Sequence, residues 1–170
     1  MRKVDIERLK DFFFEAAMTT YASGAKPENV SAFHAKGYFY NKITEGDHYE
    51  YHDVYFDAGK GKNFGFTLIS INGQCVWTMN YHGRIIDRKY IKGVKNKKLM
   101  DFLKKELMDA YKKKLFMGGR GYNFSNDGGV FKYRNTIISS SDFEEFSGEE
   151  EITLPRTAPL LFYHYYEGGL

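Results

Sequence analysis

Asp53 interrupts an aromatic strand face, and Asn80 sits in mid-strand, where an amide is poorly suited. Residues that break a local pattern in this way are the first candidates for chemistry. Grouped with them by type are Tyr81, Arg84, Arg120, Tyr122, Glu144 and Glu149. A carboxylate such as Asp53 or Glu149 can act as a base, and Arg84 or Arg120 can anchor an anion. Trp77, the only tryptophan, would add an aromatic wall. The candidate ligand-binding set is therefore Asp53, Trp77, Asn80, Tyr81, Arg84, Arg120 and Glu149. The same residue types also suit ion pairs and edge-strand positions, and both readings stay open at this level.

Other chemistries fit the spacing less well. His48 and His52 fall in a strand pattern, where four residues span roughly 13 Å, too far for two ligands of one ion. There is no Cys pair and no His-Glu-x-x-His string, and neither a metal nor another cofactor is expected. Cys75 and His82 lie on opposite faces by parity, which argues against a Cys–His pair, and Cys75 is expected to be a buried, inert thiol. Gly118-Gly-Arg-Gly121 follows a helix, whereas a phosphate-cradling loop precedes one.

Composition narrows the class. Fourteen Tyr and fifteen Phe in 170 residues favour half-buried strands, and the length suits a single domain over residues 1–170. No apolar run reaches the length of a membrane span, one Cys forbids an internal disulfide, and a cytoplasmic protein without membrane contact is expected. Charge is uneven: Arg88 to Lys114 holds eleven basic and three acidic residues, and Asp142 to Glu151 holds six acids. Both read as solvated faces. A Lys-rich helix face without Arg or aromatic interleaving lacks the usual nucleic-acid recognition chemistry.

Two helices and several strands must position these residues. Ile6, Leu9, Phe12/Phe13 and Ala16/Ala17 predict a helix from Asp5, its N-cap, to about Ala22. Leu99, Phe102/Leu103, Leu107 and Ala110/Tyr111 predict a second over residues 95–113. Residues 24–46 carry no clear period; within them Val30–Ala35 could form one helical turn and Tyr38-Phe-Tyr40 a short strand. Strands are predicted around Tyr49–Tyr55, Phe64–Ile71, Val76–Ile86, Val130–Ile138, Phe146–Leu154 and Leu160–Tyr166. Asn72-Gly73 predicts a type I′ hairpin. In the strand that follows, Cys75, Trp77, Met79 and Tyr81 should face the core.

The two halves echo each other. Tyr49-x-Tyr51 lines up with Phe131-x-Tyr133, Gly65 with Gly148, Ile69 with Ile152, Trp77 with Phe162 and Tyr81 with Tyr166, at separations of 82 to 85 residues. The expected fold is α+β: two αβββ repeats, about 5–87 and 95–169, forming antiparallel sheet packed with two long helices about a pseudo-twofold. Exposed strand edges would also allow a homo-oligomer.

Thr20-Tyr-Ala22, Tyr49-x-Tyr-x-Asp-x-Tyr55, Val76-Trp-x-Met-Asn-Tyr-x-Gly-Arg84, Arg120-Gly121, Phe131-x-Tyr133, Asp142-Phe-Glu-x-Phe-x-Gly-Glu-Glu150 and Tyr166-x-Gly-Gly169 together resemble a family of uncharacterised bacterial domains. Its members also occur fused behind helix-turn-helix modules of XRE-type regulators. The resemblance spans most of the chain and implies no activity, cofactor or catalytic residue. Only one short helix precedes the domain here, so nucleic-acid binding by this chain alone is not expected. The resemblance and the aromatic composition together make a small-ligand-binding or sensing domain the leading expectation. A small enzyme with a carboxylate/Arg site is the alternative, and nucleic-acid binding through the Lys-rich helix a further one.

Overall fold

The computed structural model describes residues 4–30, 34–86, 96–116, 126–127, 131–154 and 159–170. Helix α1 (Ile6–Thr19) is followed by β1 (Glu28–Val30), β2 (Ala35–Thr44), β3 (Asp47–Asp57), β4 (Lys62–Ile71) and β5 (Gln74–Ile85). Helix α2 (Asn96–Lys112) precedes β6 (Asn126–Asp127), β7 (Lys132–Asp142), β8 (Glu145–Thr153) and β9 (Leu160–Gly169). All the described strands join one antiparallel sheet in the order β1-β2-β3-β4-β5-β9-β8-β7-β6.

This corrects the expected α+β arrangement of two αβββ repeats about a pseudo-twofold. The chain is mostly antiparallel sheet with two helices, and its first half contributes five strands, not three. The difference lies in residues 28–44, where only Tyr38-Phe-Tyr40 reads as a possible short strand. In β2, Tyr38 is buried while Phe39 and Ile43 are exposed. Lys42 sits among residues that face α1, because its ammonium reaches Glu15 at 2.7 Å. A lysine where an apolar residue belongs erases the alternation on which strand recognition depends.

Turn chemistry fixes the register. Asn72 and Gly73 have φ of 52° and 79°, as a type I′ turn requires. The Asn72 side chain accepts from the His48 amide and donates to Asp47, both at 2.9 Å, tying this hairpin to β3. Glu45-Gly46 makes the corresponding turn between β2 and β3, with φ of 51° and 85°.

One face of the sheet is covered. Asp5 caps α1 by accepting from the Arg8 amide at 3.1 Å, and Phe12 and Phe13 descend from this helix onto Tyr49, Tyr51 and Trp77. Leu99, Leu103 and Leu107 of α2 belong to the same buried cluster. Trp77 is 1% exposed, stacks on Phe143 at 5.0 Å and donates its indole N–H to the Phe143 carbonyl at 3.0 Å. Trp77, Met79 and Tyr81 face the core, but Cys75 is exposed. Val76 is an extra residue between the Ile69–Trp77 and Ser70–Cys75 pairs, and this bulge breaks the inward row before Cys75. The acidic run also departs from a purely solvated face, since Glu150 within it is fully buried.

The link between α1 and β2 is electrostatic at its rim. Glu15 receives hydrogen bonds from Lys42 and from the Tyr40 hydroxyl, which hold its carboxyl below the ordinary 4.5, and the same contact pushes Tyr40 up to about 12. A carboxyl depressed in the folded state stabilises it above the unfolded pKa, and that contribution fades as pH falls through the folded value. Glu15→Gln should therefore melt below the wild type at pH 7, and in pH-dependent thermal melts the gap should narrow as the pH falls below the ordinary 4.5. Among the described residues, no helix is long and apolar enough to cross a membrane.

Candidate functional site

A tyrosine can lie flat across a sheet only where the neighbouring strand offers no side chain. Gly65 on β4 faces Tyr81 on β5, and a Cβ at Gly65 would stand 2.7 Å from the Tyr81 hydroxyl. With that space open, Tyr81 reaches two strands away and donates to Asp53 Oδ1 on β3 at 2.5 Å. Thr67 Oγ1 donates to the same oxygen at 3.4 Å. The device occurs twice: Tyr166 on β9 lies over Gly148 on β8 and donates to Asn135 on β7. On the sheet midline Tyr81 and Tyr166 pair directly.

The Asp53 copy opens into a cavity of about 220 Å³ between α2 and the covered face. Asp53 and Tyr81 form part of its floor, Tyr38 and Tyr55 one wall, and Tyr21 of the turn after α1 and Lys104 of α2 another side. Asp53 is 6% exposed and Tyr81 7%. Tyr38 and Tyr55 stack at 6.1 Å, and Tyr21 meets Tyr38 edge-on at 5.8 Å. The Tyr38 hydroxyl is held well above its ordinary value of 10.0, by burial first and then by Tyr55, Tyr21 and Asp53. Tyr55 is raised as well, again mainly by burial. Lys104 places its ammonium 5.1 Å from the centre of the Tyr21 ring.

The opposite wall is His164 on β9, 1% exposed and 5.2 Å from the Tyr81 ring. Its ring lies over Gly83, again a position where a Cβ would collide. Behind it stands Glu150, with Oε2 3.1 Å from His164 Nδ1 and Oε1 accepting from Tyr133 at 2.7 Å. Burial first, and then Glu150, raises the Tyr133 hydroxyl well above its ordinary value. Glu150 thus fixes the imidazole that walls the cavity. Among the described residues no group of three or more His, Cys, Asp or Glu is placed to hold a metal ion.

Strand parity divides the residues singled out from sequence. Asp53 and Tyr81 meet in the cavity. Trp77 is on the same face but lies inside the aromatic core and does not line the cavity. Asn80, Arg84 and Glu149 project from the other face of the sheet. There Glu149 accepts from Tyr163 at 3.0 Å. Asp53 therefore does not converge with Arg84, and Glu144 sits in the exposed turn between β7 and β8. Arg120, Tyr122 and the Gly118–Gly121 segment lie outside the described residues. Sequence reasoning missed His164, Glu150, Tyr38 and Tyr55 as a group. Gly65, Gly83 and Gly148, each set inside a strand, were the available signal, because an in-strand glycine marks close approach of a neighbouring group.

Two larger hollows have a different character. One of about 380 Å³ beside α1 is bordered by charged groups that already pair: Lys42 with Glu15 and Lys114 with Asp11, both at 2.7 Å. The other, about 340 Å³, lies at the Asn72 turn, where Arg8 and Glu45 pair at 2.7 Å.

No curated protein and no solved structure matches the chain. A family model described as "Domain of unknown function (DUF5680)" matches residues 53–170, a span that runs from Asp53 through Tyr81 to His164, and the chain belongs to that family.

Proposed function

We propose that this protein is a small-ligand-binding or sensing domain whose site is the tyrosine-lined cavity between α2 and the sheet. The observation that carries the reading is the buried carboxylate of Asp53 in the floor of a concave, aromatic-walled space. Apolar and aromatic walls with a few fixed polar groups are the usual make-up of small-molecule sites. At about 220 Å³ the space falls below the roughly 300–1,000 Å³ common for drug-sized ligands, so its occupant has few heavy atoms.

Preorganisation supports the same reading. The Tyr81 hydroxyl and the His164 ring are each held by a buried carboxylate, so little order remains to be gained on binding. Thermal-shift screening of the full chain against small metabolites tests it, because a ligand bound to the native state raises apparent stability. At 100 times its Kd, a ligand adds about 2.7 kcal/mol, several degrees for a chain of this size. Met100→Trp, which fills the cavity from α2, should keep the fold by circular dichroism and abolish the shift. Shifts that survive this substitution would place binding elsewhere and defeat the proposal.

A further inference from the structure

The sign of the wall potential narrows the ligand class. We infer that the cavity takes a small organic cation, an alkylated or methylated ammonium, an inference that rests on the ligand-binding reading above.

Three observations carry it. First, rings of Tyr21, Tyr38, Tyr55 and Tyr81 line the space, and an aromatic face presents negative potential to a cation. Second, the Asp53 carboxylate in the floor is of the same sign. Third, the chain supplies its own example. The Lys104 ammonium, the only Lys or Arg among the described lining residues, sits 5.1 Å from the Tyr21 ring centre. That separation is within the ≈ 6 Å over which cation–π attraction is significant. Lys104 is a tethered stand-in at the mouth, on a flexible stem that can swing to water when a ligand ammonium enters.

The opposed signs of Asp53 and Lys104 give a decisive test. For a cationic ligand, Asp53 attracts and Lys104 competes; for an anionic ligand the roles reverse. Isothermal titration of the full chain would use choline, its uncharged carbon isostere 3,3-dimethylbutan-1-ol, and the anion 3,3-dimethylbutanoate. Choline should bind at least tenfold more tightly than either of the others. Lys104→Met should tighten choline severalfold, and Asp53→Asn should weaken it at least tenfold. Lys104 is only half-buried, so its substitution tests the idea even if Asp53→Asn fails to fold.

Equal or tighter binding of the alcohol or the anion, or weaker choline binding by Lys104→Met, overturns the cation assignment. Failure of all three probes does so too. Thermal shifts with other metabolites that Met100→Trp abolishes would in each case leave the cavity standing as a ligand site. Choline binding that persists unchanged in Met100→Trp would overturn both.

Discussion

Replacing Trp77 by Ala should cost about 3–5 kcal/mol, the range for emptying a buried aromatic position. The figure is at the high end for single substitutions because Trp77 ties four elements together. Its ring meets Phe13 of α1 at 5.3 Å, Phe143 of the β7–β8 turn at 5.0 Å and Phe146 of β8 at 5.5 Å. Its N–H also satisfies the Phe143 carbonyl. The chain has a stability of order 5–15 kcal/mol to lose, so the variant should be largely unfolded at moderate denaturant. Trp77→Phe, which keeps a ring and forfeits the hydrogen bond and part of the volume, should cost distinctly less. Urea melts of the three proteins measure both differences. A loss below about 1 kcal/mol for Trp77→Ala would show that the residue is not part of the core described here.

Glu150→Ala should be comparably damaging, by about 3–5 kcal/mol, for a different reason. Removing one member of a buried, hydrogen-bonded set leaves the others without their partner in a medium that cannot solvate them. Here the Tyr133 hydroxyl and His164 Nδ1 would both lose a carboxylate oxygen, and all three side chains are 0–1% exposed. Glu150→Gln preserves the shape and hydrogen-bonding capacity and should recover much of the loss. The functional corollary is specific. In Glu150→Ala the carboxylate that orients His164 in the cavity wall is gone, so ligand-induced thermal shifts should fall even under conditions where that variant is folded, whereas Glu150→Gln should keep most of them. Chemical denaturation with the thermal-shift assay separates the two effects.

Those positions also show what could be read from the chain alone. The helices were legible because Leu9, Phe12/Phe13 and Leu99, Leu103, Leu107 repeat at helical spacing, and the Asn72-Gly73 turn because only a few residue types adopt positive φ at both positions. The inward row Trp77, Met79, Tyr81 followed from alternation, and failed at Cys75 where a one-residue bulge resets parity. Of β2 only Tyr38–Tyr40 was legible, as a possible short strand, because further along Lys42 points at Glu15. Without its full length the nine-stranded sheet read as two smaller units.

Asp53 and Tyr81 were both among the residues singled out from sequence, yet the reason they meet is non-local. Their contact passes over Gly65 on an intervening strand, a relation set by register and not by spacing. Asn80, Arg84 and Glu149 looked equally unusual, but they are polar residues on the uncovered face of the sheet, where polarity needs no special explanation. His164 and Glu150 carried the opposite disguise. A histidine in an aromatic strand and a glutamate in an acidic run look ordinary until pairing of β8 with β9 buries them against each other.

The central claim is that a small ligand enters beside Asp53 and Tyr81. Aromatic ¹H–¹³C spectra of the full chain titrated with choline test it most directly, since the tyrosine rings that would form the cage report their own environments. The account predicts saturable shifts concentrated on Tyr21, Tyr38, Tyr55 and Tyr81 and absent from Tyr163 and Tyr165 on the uncovered face, and their loss in Met100→Trp. Shifts centred on Tyr163 and Tyr165, or none on the four cavity tyrosines at saturating choline, would contradict it.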